Sequence, residues 1–556
     1  MEKKHLRKLM WVASLGLILA GCSSQQSGSG KLADKQEFTT ATDSELSTVD
    51  LSKTTSLQTF EILTNVDEGL YRLGKNSHAD NALATKTVVS KHGLQYTFNL
   101  RKGTKWSNGD LVTAKDFVYS WQRTVNPKTA SQYGYLFSGI KNADAIQDHK
   151  KSYRSLGIRA VGKYKLVVNL EKPIPYFKVL MGFPVFFPQN QKVVEKYGTN
   201  YGTKGNRMVY NGPYRLTNWN GTGMTWTLAK NKTYWDEKHV KLDKLNYQVT
   251  KNPSTGYNQF KMGKLQYVGL TGILAKNLKN NKDLVSRKSS GSYYLALNQK
   301  KRIFKNLKIR KAISMAIDRD QLTNKILGDG SFNSQSFVAS GLSIDPNTGK
   351  DFTKSTNKPQ SMTFNKDQAA KLFKEGLKEL GIKKMKFTIL NSDEYSSKRV
   401  SEYLQAELEK YLPGLTVQLR NVPFQTLLSR QKTHSFQVTV GDWYADFADP
   451  ITYLNILTTG NPSNVSQWSN KTYDRLIKKS ASTDAGNAKK RFNDLVKAQN
   501  VLLEQQGITP LYQQGSMSLL SSKVKGLVYS PAGSNNYKPR FKIEVQHLIT
   551  RPIRLA

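Results

Sequence analysis

One cysteine in 556 residues, Cys22, settles how this chain can hold a fold. No intramolecular disulfide can form and no cysteine cage can take a metal, so apolar packing alone must stabilise the structure. The material for that is present: 38% of the residues are hydrophobic, with 8 Trp, 27 Tyr and 22 Phe. The length exceeds one ordinary core and predicts about two to four domains. This composition excludes wholesale disorder and a multi-span membrane protein.

The position of that cysteine is informative. A basic head (Lys3, Lys4, Arg7, Lys8) precedes a mostly apolar run over residues 9–20, and Cys22 stands directly after Leu19-Ala20-Gly21. Such a run is too short to span a bilayer but suits the apolar region of a secretory signal. Leu19-Ala20-Gly21-Cys22 resembles the lipobox of bacterial lipoproteins. The resemblance implies removal of residues 1–21 as a signal peptide and a thioether-linked lipid on Cys22. The polar stretch Ser23-Ser24-Gln25-Gln26-Ser27-Gly28-Ser29-Gly30 then reads as a flexible tether, with residues 22–34 leading to a body on the extracytoplasmic face of the cell membrane. The alternative is an uncleaved signal anchor with an incidental cysteine.

The charge is extreme: 84 Lys and Arg against 41 Asp and Glu give +43, and residues 22–556 keep +40. Nucleic acid is the usual partner of such a surplus. Here the lysines are spread along the chain, the densest runs are short (Lys150-Lys151, Lys300-Lys301-Arg302, Lys383-Lys384), and no nucleic-acid motif is present. The expectation is no nucleic-acid partner. Solvated lysine faces, with attraction to anionic lipid heads or acidic wall polymers, fit the address better.

Strand and helix patterns mix along the body. Residues 96–100 alternate as a half-buried strand, and Thr113 with Asp116 forms a capping-box pattern before Phe117 and Trp121. Residues 369–380 have helical spacing closed by Gly381, and residues 386–390 read as a strand. Val400, Tyr403, Leu404, Leu408 and Tyr411 mark a helix stopped by Pro413-Gly414, and residues 415–419 alternate again. Phe492, Leu495, Val496, Leu502 and Leu503 mark a further helix ended by Gly507. The fold class is α/β in more than one lobe, and the strand–helix–strand spacing predicts a mostly parallel sheet.

Catalytic motifs are missing. The seven histidines lie far apart, and no H-E-x-x-H, G-x-S-x-G, phosphate-loop or dinucleotide-loop pattern occurs. The expectation is a protein that is not an enzyme and carries neither cofactor nor metal. One segment concentrates carboxylates among aromatics: Asp442-Trp443-Tyr444-Ala445-Asp446-Phe447-Ala448-Asp449-Pro450. Asp449-Pro450 reads as a helix start and Asp442 as a turn residue. Asp446 reads either as a solvated loop acid or as the receiver of a ligand cation.

Several stretches then resemble one family. The most specific runs Tyr96-Thr97-Phe98-Asn99-Leu100-Arg101-Lys102-Gly103-Thr104-Lys105-Trp106-Ser107-Asn108-Gly109-Asp110 and continues to Trp121-Gln122-Arg123. Asn211-Gly212-Pro213-Tyr214, Asn231-Lys232-Thr233-Tyr234-Trp235-Asp236, Asp318-Arg319 and residues 443–450 follow in the same order. Together they resemble the peptide-binding receptors of bacterial ABC importers, specifically the oligopeptide-binding group, from about residue 35 to about residue 545. The resemblance implies a type II periplasmic-binding-protein fold, with two hinged lobes of mixed sheets plus an additional domain. Lobe I would combine residues 35–67, 201–294 and 514–556, the additional domain would be residues 68–200, and lobe II residues 295–513.

It further implies a monomeric receptor that holds oligopeptides extended between the lobes and passes them to permease and ATPase subunits. In Trp443-Tyr444-Ala445-Asp446 the aspartate would pair with the peptide's terminal ammonium, with Trp443 and Tyr444 in the cleft. Tyr133 and Phe424 stand where the family has aromatic pocket walls, although they read equally as core aromatics. The chain departs from the pattern at Val440 and Ser396, where relatives carry an arginine and a histidine that capture the peptide's carboxylate. Longer or more apolar peptides are expected as a result. The readings held beside this one are the same fold on nickel, haem, an oligosaccharide, an opine or a signalling peptide; a wall-binding adhesion or scaffold protein; and a hydrolase without a linear motif.

Overall fold

The computed structural model describes residues 32–528, apart from 43–44, 47, 55, 75–77, 251 and 271, together with residues 536–543. Cys22, the signal segment and most of the tether lie outside the described residues.

Local sequence signals set the elements. The strand Gln95–Leu100 turns Tyr96, Phe98 and Leu100 inward at a period of two. In front of the helix Ala114–Val125, the Asp116 carboxylate accepts the Thr113 N–H at 2.7 Å and its hydroxyl at 2.8 Å. Those bonds occupy a donor left over at the helix start, while Phe117 and Trp121 are buried below. The helix Lys366–Leu380 buries Ala369, Phe373, Leu377 and Leu380 and ends on Gly381 in the left-handed region, at φ 67°. The next unit is strand–helix–strand: Met385–Ser392, Tyr395–Tyr411 and Leu415–Val422. Its strands are parallel, in register from Met385 opposite Leu415 to Ser392 opposite Val422.

These strands open a ten-stranded sheet. Its order continues with Val438–Trp443, Leu284–Leu297, Thr509–Leu520, Tyr267–Leu270, Glu37–Thr42, Lys244–Val249, Thr225–Lys230 and Tyr214–Thr217. The expectation of a mostly parallel sheet needs correction. Four neighbour pairs are parallel and five antiparallel, so the sheet is mixed. A parallel pair requires a crossover, whereas Tyr214–Thr217 and Thr225–Lys230 are joined as a hairpin. A separate antiparallel sheet of four strands is ordered Ala84–Val89, Gln95–Leu100, Lys165–Asn169, Ile158–Ala160.

Two large cores lie against these layers. One gathers Leu295, Phe304, Phe387, Leu404 and Val438. The other spans Phe38, Trp121 and Trp226 and continues into Phe447, Tyr453, Phe492 and Leu502. Part of that continuity is a stack of Tyr176 on Phe447, with centroids 4.4 Å apart and an interplanar angle of 16°. The long antiparallel strands Leu284–Leu297 and Thr509–Leu520 run between the two cores, and their register shifts between Lys288 and Ser292 and again between Tyr293 and Tyr294.

Candidate functional site

Asp446 lies just beyond the strand Val438–Trp443, in a loop tied to the long strand Leu284–Leu297. Ser290 makes the tie: its hydroxyl accepts the Ala445 N–H at 3.2 Å, and its carbonyl accepts the Tyr453 hydroxyl. Asp446 Oδ2 accepts the Tyr135 hydroxyl at 2.9 Å and the Thr452 hydroxyl at 3.4 Å, and the Asp446 N–H donates to Thr452 Oγ1 at 3.3 Å. Protein surrounds this carboxylate on most sides. Lost hydration pushes its pKa up to about 6, against the lowering effect of the two hydroxyls. Among the described residues no lysine, arginine or histidine comes within 4 Å of it.

Asp449, three residues on, has the opposite surroundings. Arg491 clasps it through Nη1–Oδ2 at 2.8 Å and Nη2–Oδ1 at 2.7 Å, and its Oδ1 also accepts the Ile451 N–H at 2.9 Å. The short helix Ile451–Leu454 therefore starts under Asp449 as the sequence suggests, with Pro450 one place earlier than its first residue. One loop thus holds one neutralised carboxylate and one without a cation.

Asp446 opens into a cavity of about 620 Å³, walled by Leu136, Ile174, Trp443, Phe447 and Ile456, with Asp144, Asp148, Lys172 and Arg491 also on its lining. Tyr135 stands at its edge with 47% of its surface exposed. The indole N–H of Trp443 is buried and has no partner.

The residues singled out from the sequence have several locations. Trp443 and Asp446 share the cavity. Tyr133 is next to Tyr135, stacked on it with centroids 5.9 Å apart, but packs its ring against Phe60 and Phe183. Tyr444 points to the long strands: its hydroxyl donates to Gln514 Oε1 at 2.6 Å and lies 3.2 Å from the Tyr293 hydroxyl. Burial raises the Tyr444 pKa to about 12. Phe424 begins the helix Phe424–Lys432, and its side chain lies outside the described residues. Val440 is buried opposite Leu295 in the core, whereas Ser396 is exposed in the first turn of Tyr395–Tyr411. Asp442 is not a turn residue: it is in the strand, opposite Tyr293, and partial loss of hydration with nearby Glu394 raises its pKa to about 6.

Tyr135 and Thr452, the two hydroxyls on Asp446, were not singled out. Thr452 lies six residues beyond Asp446, but Tyr135 is 311 residues away and nothing local marks it. Among the described residues no group of three or more His, Cys, Asp or Glu could hold a metal ion, and no helix is long and apolar enough to cross a membrane.

Comparison with known proteins decides the family. The model of bacterial extracellular solute-binding proteins, family 5 (its middle region), matches residues 79–465. The chain belongs to this family. The family 5 chain is 35% identical over 538 residues to the dipeptide-binding protein of Lactococcus lactis subsp. cremoris, covering 94% of this chain and 96% of that one. It is similar to the structure of Listeria monocytogenes OppA bound to peptide, with a TM-score of 0.80 and 36% identity, over 92% of this chain and 100% of that one. It is also similar to the pheromone receptor PrgZ, with a TM-score of 0.79 and 35% identity, over 92% of this chain and 100% of that one. Members of family 5 are substrate-binding receptors and not enzymes, and this chain is a solute-binding protein with their mixed α/β fold.

Proposed function

We propose that this family 5 protein is an oligopeptide receptor on the extracytoplasmic face of the membrane, tethered through Cys22, that delivers peptides to the permease and ATPase subunits of an ABC importer. The observation that carries the reading is Asp446: a walled-in carboxylate with two hydroxyl donors, no cation within 4 Å among the described residues and an adjoining cavity. An arriving α-ammonium supplies the missing positive charge, and the pair strengthens as water leaves. The relatives' names, which speak of dipeptides, peptide and pheromone, support a peptide as the source of that ammonium.

The division into lobe I, an additional domain (68–200) and lobe II (295–513) belongs to the same proposal, with the long strands Leu284–Leu297 and Thr509–Leu520 as the hinge. Tyr135 comes from the additional domain and Asp446 from lobe II, so closing brings both to one ligand atom. The peptide's carboxyl end is left without a cation at Val440 and Ser396. Peptides long enough to keep that end in solvent are the favoured class. The receptor works as a monomer and needs no cofactor.

Mass spectrometry of ligands released by denaturing residues 23–556 tests this directly. Peptides with unmodified N-termini are expected, as a ladder for nutrition or as one dominant species for signalling. A sugar, haem or metal chelate in their place would overturn the peptide reading.

A further inference from the structure

Near Leu32, where the described residues begin, exposed lysines and apolar groups share one surface. A cavity of about 550 Å³ opens there, lined by Ala33, Lys35, Tyr257, Phe260, Lys261 and Lys523. Lys35, Lys261, Lys264 and Lys523 are all exposed, and none has a carboxylate within 4 Å among the described residues. Of the nearby acids, Glu37 is paired with Lys244 at 3.1 Å, Asp283 is half-buried, and Asp34 is exposed. Apolar groups stand out between the lysines: Met262 is 61% exposed and Leu32 43% exposed, with the rings of Tyr257 and Phe260 half-buried beside them.

Lysine alone selects nothing in a chain with 84 Lys and Arg. The combination does, because ammonium groups, an exposed thioether and aromatic rings are what a bilayer interface accepts. Position adds a second reason. Leu32 is the tenth residue after Cys22. That many residues reach at most about 35 Å at full stretch. If Cys22 carries the lipid, this face is the part of the body held against the membrane.

We propose that this face docks on the anionic membrane surface, with Lys35, Lys261, Lys264 and Lys523 on lipid phosphates and Met262 in the headgroup–acyl boundary. The tether then does more than confine the protein: together with the patch it fixes which side of the body faces the bilayer. The proposal rests on the tether reading for its geometry, but the patch can be tested without the lipid.

The test uses acyl-free residues 23–556, which keep every described residue, sedimented with phosphatidylcholine vesicles with or without phosphatidylglycerol. Binding to the anionic vesicles that weakens with salt is expected. Changing Lys35, Lys261, Lys264 and Lys523 together to Gln should lower partitioning at least about tenfold, while Lys366, Lys371, Lys374 and Lys378 changed to Gln should leave it within about twofold. Met262→Ser should weaken it in the wild-type charge background. Thermal unfolding of each variant confirms that its fold is kept. Equal losses in the two quadruple variants would reduce the effect to net charge and overturn the proposal, as would no binding by the wild type. Patch-dependent binding to a soluble glycerol-phosphate polymer but not to vesicles would overturn it in favour of the wall. Mass spectrometry of native Cys22 tests the tether separately, so the two failures are distinguishable.

Discussion

Asp446 and Asp449 differ in what neutralises them, and the difference has measurable consequences. With its pKa pushed up to about 6 by lost hydration, Asp446 should take up a proton below about pH 6 in the ligand-free protein. Under the proposed function the peptide's ammonium needs this carboxylate, so proton and peptide should compete. Affinity should be full above about pH 6 and fall below it, and should fall again above about pH 8 as the peptide's α-amino group loses its proton. Asp446→Asn should abolish the acid limb and cost about 2–5 kcal/mol of binding at neutral pH; titration calorimetry across pH reads both. Arg491→Met instead leaves Asp449 buried without its partner and should lower stability by about 3–5 kcal/mol in denaturant unfolding. Asp67 gives a third test. It is wholly buried, its Oδ2 has no partner, and its pKa is raised from 3.8 to about 8. The folded chain holds a proton that the unfolded chain releases, so this group's contribution to stability declines from about pH 4 to about pH 8. Asp67→Asn should flatten that decline in pH-dependent melting curves.

At the scale of elements, what could be read from the sequence was what is settled within a few residues. The Thr113–Asp116 cap, the inward alternation of 96, 98 and 100, and the Gly381 stop each depend on neighbours in the chain. The strand–helix–strand unit over 385–422 was legible for the same reason. Spacing alone missed the mixed sheet, which the family resemblance did imply, because the pairing of Leu284–Leu297 with Thr509–Leu520 joins segments more than two hundred residues apart, with no local sign of direction. Likewise Asp446 could be singled out by its segment, but its hydroxyl donor Tyr135, 311 residues away, is brought to it only by the fold. The long strands also carry a prediction. A Cβ on Gly515 would stand 1.9 Å from the Gly330 carbonyl oxygen, a backbone atom that cannot swing aside. Gly515→Ala should cost about 1–3 kcal/mol in thermal unfolding. Gly269→Ala, in the neighbouring strand with nothing within 4 Å of a new Cβ, should stay within about 0.5 kcal/mol.

For the whole molecule, the charge of +40 on residues 22–556 and the proposed peptide site are separate properties. The charge is spread along the sequence, whereas the cavity beside Asp446 carries acids and bases together, with Asp144, Asp148, Lys172 and Arg491 on its lining. With Val440 in the core and Ser396 in solvent, amidating a peptide's C-terminus should change affinity by less than about twofold, within the 0.5 kcal/mol expected of a group that meets no partner. Binding should also draw the lobes together, visible as a smaller radius of gyration in X-ray scattering. The most direct measurement crosses ligand with residue: calorimetry of one peptide and its N-acetylated twin against wild type and Asp446→Asn. The wild type should bind the free peptide far more tightly than its twin, and the variant should bind both equally weakly. A wild type that takes the acetylated peptide as well as the free one would contradict capture of the ammonium by Asp446.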